Sequence, residues 1–421
     1  MPSLRKSTKR HRGAIHSMNM VRPMRRPKVI NPVNLKAKKI VPKMRTDLIE
    51  KMRNDLSLPD MKDATLIIFQ PLFCIANIKK LIAVKPCIKK IVSVCTYNAI
   101  SKNHSQLVMD FSDEIYVIND NFVRLENIIK ANSKKSKCIL HIHDIRFANI
   151  ATKLVGIINR QRKNIKKVIY DLHDVVAIQY PTGEKCSTAR SAETIMCSVA
   201  DVLITPNVMT SKFVKNYFHK RTETIKLLVN YVNFPEIKKT NNSMVNVVYQ
   251  GGIVSKTHGG GHRYYNEIFD RLLKNNTNVF LHIHPANEFY SFLKKKYGKH
   301  TRVRIHNRMN YDKLIPALTN YDIGFCGYNR VRGVGNEYIG DRALPNKIYE
   351  YIVAGLPAMV MRFNHMRKFV NNTKLGFIVA DSMKLGFKKK DIERVRKLVI
   401  EKRKDYMMET QTHKLMQIYG W

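Results

Sequence analysis

The sequence is short of acidic residues. Its 75 lysines and arginines face only 32 aspartates and glutamates, which gives a formal net charge of +43 over 421 residues. Residues 1–45 contain 14 of these basic residues and no acidic one, leaving +29 for the other 376 residues. A surplus spread over the whole chain predicts a polyanionic partner: a nucleic acid, an anionic membrane or an acidic polymer.

Several other features are missing. No run of about 18 apolar residues occurs, so no transmembrane helix is predicted, and the N-terminus lacks the apolar segment of a secretory signal. The seven cysteines form no CxxC pair, which favours reduced buried thiols over disulfides or zinc. Together these absences lead us to expect a cytoplasmic protein. The composition is rich in Lys, Asn and Ile, as in AT-rich genomes, which is compatible with a bacterium or a phage-infected bacterial cell.

Residues 1–45 show no hydrophobic period. Pro23, Pro27, Pro32 and Pro42 prevent a long helix there. We predict a disordered basic arm that could hold a polyanion by charge alone. A targeting leader is the alternative, and the low serine content disfavours it.

Short apolar runs alternate with helix-length segments from about Ala64 onward. ATLIIFQ, KCILHIHD and KKVIYDLHD belong to a first series, and NVVYQGG, TNVFLHIHP and YDIGFCGY belong to a second. This alternation predicts an α/β protein with two doubly wound, Rossmann-like domains. The expected divisions are a basic arm, an N-terminal domain, a C-terminal domain and a basic helix packing back: 1–45, 46–238, 245–387 and 388–421.

The stretch ALPNKIYEYIVAGLPAMV carries the strongest local signal. A helix begins near Asn346, a plausible cap, and ends at Gly355 with Pro357 two residues later. Its open N-terminus favours an anion, and an anion would explain the cation Lys347 in the first turn. Glu350 lies in the middle of this helix.

The same stretch resembles the nucleotide-sugar site of GT-B glycosyltransferases, especially the family-four retaining enzymes, whose helix reads N-K-x-x-E-Y-x-x-x-G-x-P. The resemblance implies two Rossmann-like domains facing across a cleft. It also implies that Glu350 holds the donor ribose and that Asn346 and Lys347 lie near the diphosphate. Related transferases of capsule-type pathways show this glutamate without the family's other acidic residue.

A strand, a glycine-rich loop and a helix follow one another from Val247 to Leu273. Gly251 and Gly252 would let the backbone approach a ligand closely. The resemblance implies that Gly252 lies at the end of the first strand of the donor domain and that Lys256 neutralises the phosphates, with Arg263 as a rival. The spacing is not that of a dinucleotide fingerprint.

The segment Val303 to Tyr328 resembles the part of these enzymes that binds the nucleotide base. By that resemblance the backbone around His306, Asn307 and Arg308 contacts the edge of the base, and Asp322 is structural.

One acidic residue of the family pattern is absent. The usual pair is E-x7-E, and the position eight residues before Glu350 is Arg342. Asp341 or Glu337 could replace the missing acid. This departure leaves the donor sugar open.

Polar residues end two strands of the first domain. The segment VIYDLHDVV places Asp171, His173 and Asp174 at a strand end, where acid–base groups belong. The resemblance implies His173 near the sugar and Asp174 on the acceptor side. For HIHDIR, with His143 and Asp144, loop capping is the favoured interpretation. No metal and no cofactor are expected, because cations and a helix dipole serve the diphosphate in this fold.

These observations favour a retaining glycosyltransferase, hexosyl or related, that uses a nucleotide sugar and a polyanionic acceptor. Modified bases in phage DNA are the favoured acceptor, and such a base must be exposed before it can react. A membrane lipid or a cell-wall or capsule polymer is the alternative acceptor. A nucleotide-sugar epimerase and a non-catalytic nucleic-acid-binding protein are the alternatives from other classes.

Overall fold

A computed structural model describes most of the chain. It covers residues 38–40, 42, 44–71, 75–96, 105–134, 137–173, 175, 184–238, 243–254, 263–286, 291–329 and 344–421. These residues belong to one compact unit built on two sheets. Among them, no helix has both the length and the apolar character needed to cross a membrane.

The first sheet has eight strands in the order β1-β4-β3-β2-β5-β6-β7-β8. All neighbours are parallel except β1, which is antiparallel to β4. The strands are β1 (Lys38–Ile40), β2 (Lys62–Gln70), β3 (Ile88–Cys95), β4 (Glu114–Val117), β5 (Cys138–His143), β6 (Ile165–Asp171), β7 (Val202–Thr205) and β8 (Thr222–Thr224). The helices of this half are α1 (Thr46–Leu56), α2 (Ile75–Val84), α3 (Ser105–Phe111), α4 (Phe122–Asn132), α5 (Ala148–Arg160), α6 (Glu184–Val199) and α7 (Val208–Phe218).

The second sheet has six parallel strands in the order β11-β10-β9-β12-β13-β14. They are β9 (Val245–Gly251), β10 (Val279–Pro285), β11 (Val303–Ile305), β12 (Ile323–Cys326), β13 (Ala358–Met361) and β14 (Gly376–Val379). The helices that follow β9 in the described residues are α8 (Asn266–Asn275), α9 (Ser291–Tyr297), α10 (Tyr311–Leu318), α11 (Lys347–Val353), α12 (Asn364–Thr373), α13 (Lys389–Lys402) and α14 (Thr412–Tyr419). The predicted α/β class with two doubly wound sheets is confirmed.

Both sheets are covered on their two faces, which explains their sequence pattern. Every residue of β5 is buried, and so are all four residues of β12 and of β13. Strands buried on both faces read as continuous apolar runs instead of alternating ones. The first sheet has a separate core cluster on each face, whereas the buried residues on both faces of the second sheet belong to one large cluster.

The C-terminal segment returns to the first sheet. Leu415 and Ile418 of α14 lie in the core on one face of that sheet, and the Tyr419 hydroxyl lies 3.0 Å from Nδ1 of His141 on β5. Residues 225–238, on the chain between the two sheets, are bridged to the same C-terminal region through Val229 and Met407.

The expected limit of the basic arm needs a correction. β1 lies inside residues 1–45, and its Lys39 pairs with Glu114 of β4 at 2.9 Å. A strand partner and a carboxylate neutralise and order this part of the arm. Residues 1–37 lie outside the described residues.

Candidate functional site

The carboxyl end of β9 brings two cations against the backbone. Gly251 has a φ of +131°, and a Cβ placed there would lie 3.0 Å from Nζ of Lys347. A Cβ on Gly252 would lie 3.3 Å from Nη1 of Arg263. Glycine is therefore required at Gly251 for the backbone angle, and both glycines leave room for the cations.

Lys347 lies in the first turn of α11 with its ammonium over an aromatic ring. Nζ is 4.2 Å from the ring centroid of Tyr249. The pKa of Lys347 is lowered to about 8, chiefly by burial and also by nearby Arg263, while Cys326 and Glu350 oppose the shift. A cation so poorly hydrated and next to a second cation gains from a bound anion.

Glu350, one turn further along α11, is buried and engaged at both oxygens. Lys79 of α2 places its ammonium 3.5 Å from Oε1, and the Gln250 side-chain amide donates to Oε2. Lys79 comes from the layer of the first sheet and Gln250 from the end of β9. The carboxylate therefore lies where the two halves of the molecule meet.

Glu350 forms part of the wall of a cavity of about 210 Å³ at the carboxyl edge of the second sheet. In an open parallel sheet this edge, beside the point where the strand order reverses, is where ligands bind. The lining residues are Gln250, His284, Pro285, Ala286, Arg308, Met309, Asn310, Tyr311, Leu314 and Glu350.

The predicted base-binding segment is only partly at this cavity. Arg308 lines it, but His306 and Asn307 do not. The His306 ring instead stacks on His284 at 4.0 Å between centroids, and its Nε2 lies 3.1 Å from Nδ1 of His282. Asn307 is exposed. Base contacts from these two residues remain a prediction.

Asn346 does not cap α11 with its side chain, so that expectation is wrong. The residue has helical dihedral angles and makes no side-chain capping bond, and its carbonyl accepts from the amides of Tyr349 and Glu350. Asp322 behaves as a structural residue, because its Oδ2 accepts from the backbone amide and the side chain of Asn246.

The first sheet carries a second buried polar cluster around Asp171, at the end of β6. Oδ2 of Asp171 lies 2.6 Å from Nζ of Lys80, 3.1 Å from Nδ1 of His143 and 3.4 Å from Nε2 of His141. Burial alone would raise the pKa of Asp171, but Lys80 and the two imidazoles outweigh it and hold the pKa well below its usual range. Burial, helped by His141, lowers the pKa of His143 to about 3.

These three side chains also form a group that could hold a metal ion. In the part of the chain that the structure describes, the ligand atoms of His141, His143 and Asp171 lie within 4.8 Å of one another. The Lys80 ammonium, however, already supplies a cation to the Asp171 carboxylate, and a divalent ion would meet that charge in a buried site. We assign no metal here.

His173 lies just beyond this cluster and is largely buried. Its Nδ1 is 3.5 Å from Oδ2 of Asp144, which has a φ of +46° and also contacts Arg146 at 3.4 Å. Asp144 thus holds the His173 ring from a loop. Asp174, Lys256 and the segment with Glu337, Asp341 and Arg342 lie outside the described residues.

The structure thus brings together Gly251, Gly252, Arg263, Lys347 and Glu350 from three separate segments. Sequence reasoning missed Gln250, His284, Tyr311 and Lys79. Lys79 had one available signal, since Lys79 and Lys80 interrupt the otherwise apolar helix IANIKKLIAV.

Comparison of the sequence with protein-family models and with curated proteins gives no match. Comparison of the structure does. HepE of Anabaena, in complex with UDP-glucose, superposes with a TM-score of 0.59 at 13% identity over 84% of this chain and 99% of that one. Sucrose-phosphate synthase of Thermosynechococcus elongatus gives 0.56 at 11% identity, over 85% and 98%. A Listeria monocytogenes protein described as a UDP-N-acetylglucosamine 2-epimerase gives 0.50 at 10% identity, over 84% and 95%.

Similarity at this level of identity establishes the fold. The chain has the GT-B fold, two Rossmann-like domains facing each other. The finer resemblance to the family-four retaining enzymes stays a prediction.

Proposed function

We propose that this protein is a glycosyltransferase, hexosyl or related, that transfers a sugar from a nucleotide-sugar donor to a polyanionic acceptor. The observation that carries the proposal is the convergence of Gly251–Gly252, Arg263, Lys347 and Glu350 at the carboxyl edge of the second sheet, where Glu350 also lines the cavity. Close backbone approach, two cations and a buried carboxylate are what a diphosphate joined to a ribose requires.

The donor would lie along this edge in a definite order. Its diphosphate would occupy the space beside Lys347 and Arg263, where the glycines leave the backbone exposed to a ligand. The ribose would hydrogen-bond to Glu350, and the base would enter the cavity toward Arg308. The ligand of HepE, UDP-glucose, has these three parts.

Charge rather than covalent chemistry would carry the reaction. As the sugar leaves, negative charge grows on the diphosphate, and fixed cations in a poorly hydrated site stabilise it most in the transition state. Arg263 and Lys347 supply such cations, and Lys256 belongs to the same loop. We propose retention of configuration, with the leaving diphosphate accepting the acceptor proton and His173 and Asp174 on the opposite wall. No metal ion enters this scheme.

We propose DNA, through modified bases, as the acceptor. The excess of basic residues is not confined to the arm, since the remaining 376 residues carry +29. A charge so distributed matches the regular spacing of phosphates along a duplex better than the single amphipathic face of a membrane-binding helix.

Transfer of label from nucleotide sugars tests both parts of the proposal. Purified protein is incubated with labelled UDP-, GDP- and ADP-sugars, together with duplex DNA carrying hydroxymethylated bases, anionic vesicles or an anionic cell-wall polymer. Label in DNA supports the full proposal. Label only in lipid or polymer retains the transferase and replaces the acceptor. Binding to DNA with neither transfer nor donor hydrolysis favours a non-catalytic nucleic-acid-binding protein.

An epimerase is the second candidate, because the Listeria monocytogenes structure shares the fold over 84% of this chain. An epimerase would interconvert a nucleotide sugar with no acceptor present, and the product would keep its nucleotide. Chromatography of the nucleotide sugar after incubation with protein alone separates the two functions.

Removing residues 1–37 tests the acceptor independently. This truncation spares β1, unlike a deletion to residue 45, and removes ten lysines and arginines. DNA affinity should fall and depend less on salt, with the log–log slope decreasing by about 0.9 for each phosphate that the arm no longer neutralises. Donor hydrolysis should persist. A full-length protein that ignores DNA at low salt would exclude the DNA acceptor.

A further inference from the structure

Lys79 is a fully buried lysine with a counter-ion in the other half of the molecule. It lies on α2, whose apolar residues pack against the first sheet, yet its ammonium faces Glu350 of α11 at 3.5 Å. The same ammonium donates to the Leu227 carbonyl at 3.4 Å and lies 5.0 Å from the ring centroid of Tyr311. Both Tyr311 and Glu350 line the cavity.

Burial makes this position unfavourable for a lysine. Burial lowers the pKa of Lys79, and Glu350 opposes that shift. A buried ammonium is tolerated only when a partner compensates the lost hydration. An apolar side chain of similar length would suit a helix that reads IANIKKLIAV, so the charge needs a reason beyond packing.

The main chain of Lys79 is fixed as well. The Asn230 side chain donates to the Lys79 carbonyl at 2.9 Å and to Oε1 of Glu409 at 3.0 Å, and Glu409 also accepts from the Tyr231 amide. Asn230 and Tyr231 belong to the segment that joins the two sheets. Asn230 thus fixes the backbone of Lys79, and Glu350 in the cavity wall fixes its ammonium.

We propose that Lys79 is a positioning residue of the donor site: it fixes the Glu350 carboxylate that receives the donor's ribose. The inference rests on the proposed function. An ionised carboxylate has about four acceptor positions. Lys79 and the Gln250 amide use one on each oxygen, and the Tyr311 side chain lies beside the carboxylate as well. A ribose that displaces the Tyr311 hydroxyl would find one position on each oxygen for its two vicinal hydroxyls.

Without Lys79, Oε1 of Glu350 would lose the ammonium at 3.5 Å, and the Gln250 amide would hold the carboxylate through Oε2. A carboxylate held through one oxygen can turn, so its acceptor positions match the two ribose hydroxyls less well. Donor binding should therefore weaken when Lys79 is replaced.

Calorimetric binding of UDP, GDP and ADP to a double-mutant cycle tests the proposal. The proteins are wild type, Lys79→Met, Glu350→Gln and the double variant, with Lys79→Arg as the conservative variant. We expect Lys79→Met to weaken binding of the preferred diphosphate about tenfold. Lys79→Arg should restore part of the loss, and Lys79→Met should have little further effect when Glu350 is already Gln.

Lys85→Met is the matched control. Lys85 follows α2, is buried and pairs with Asp113 at 2.6 Å, away from the cavity. Its loss should lower stability without a change in nucleotide affinity. If Lys85→Met weakened nucleotide binding as much as Lys79→Met, the effect would be a general loss of stability and the proposal would be wrong.

Thermal unfolding of the same four proteins, without nucleotide, keeps the proposal testable if affinity is hard to measure. Each single variant leaves one charge or dipole poorly matched, and removing both charges should recover stability. Additive effects in both cycles would overturn the role of Lys79 while leaving the donor site in place. Failure of wild type to bind any of the three diphosphates would instead overturn the proposed function, and the inference with it.

Discussion

Each half of the molecule has a buried carboxylate that contacts a lysine of α2, and the two carboxylates differ in whether a ligand can reach them. Asp171 of the first sheet is surrounded by Lys80 and two imidazoles and is sealed from solvent. Glu350 of the second half faces Lys79 but also lines a cavity. Neighbouring residues of α2 thus serve one closed and one open site, and a ligand can reach only the open one.

This difference predicts that the Asp171 cluster contributes to stability and that Glu350 contributes to ligand binding. In the closed cluster every interaction is internal, so its charges hold the first sheet in one arrangement. In the open cluster, acceptor positions remain for a ligand. Substitutions should therefore affect folding at Asp171 and nucleotide affinity at Glu350.

The largest expected effect is at Glu350. Glu350→Ala should abolish sugar transfer and weaken donor binding at least about 100-fold, because two charge-assisted hydrogen bonds of about 1.5–3 kcal/mol each are removed. Because Ala leaves Lys79 buried without a partner, Glu350→Gln is the control that retains the shape of the side chain. Unchanged donor affinity by calorimetry would exclude the ribose assignment.

The matching substitution in the closed cluster should act on the fold. Asp171→Ala leaves the Lys80 ammonium uncompensated and should lower the free energy of unfolding by about 3–5 kcal/mol. Lys80→Met combined with Asp171→Asn should recover much of this loss. Denaturant titration provides the measurement, and a fully stable Asp171→Ala protein would contradict the comparison.

Removal of a phosphate cation should slow the chemical step. Arg263→Ala or Lys256→Ala, but not both equally, should lower the rate about 100-fold, as expected for loss of one fixed electrostatic stabiliser. Single-turnover kinetics separates this effect from donor binding. If both variants kept the wild-type rate, neither residue would be the phosphate cation, and Lys347 or Arg342 would become the candidate.

The most limited effect is confined to one pH window and concerns Glu409, which holds the segment between the sheets through Asn230 and Tyr231. Burial raises the pKa of Glu409 to about 7, above its unfolded value near 4.5. The folded state therefore binds more protons between these two values, and the contribution of Glu409 to stability is complete below the lower one and falls as the pH rises toward 7. Relative to Glu409→Gln, wild type should lose up to about 3 kcal/mol across this window. Parallel stability curves would show that Glu409 does not titrate there.

Much of the fold could be read from the sequence because its strands are buried on both faces. The runs ATLIIFQ, KCILHIHD, KKVIYDLHD and NVVYQGG each contain part or all of a strand, and these strands end at Gln70, His143, Asp171 and Gly251. β1 was missed, because three residues inside a basic, proline-containing segment carry no pattern of their own. Its formation depends on the unpaired edge of β4 and on Glu114.

The site was predicted less completely. Glycines at a strand end and the N-K-x-x-E helix carry a local chemical signature, so Gly251, Gly252 and Glu350 could be selected in advance. Cavity residues such as His284 and Tyr311 carry no such signature.

What the sequence determined by itself is the succession of apolar runs, the glycines at the end of β9 and the helix of Glu350, since each depends on residues close together in the chain. Only the tertiary structure decided that Lys79 meets Glu350, 271 positions later. It also decided that His306 packs behind the cavity while Arg308 lines it. Contacts of this kind depend on how two sheets and their helices pack, and no short-range pattern encodes that packing.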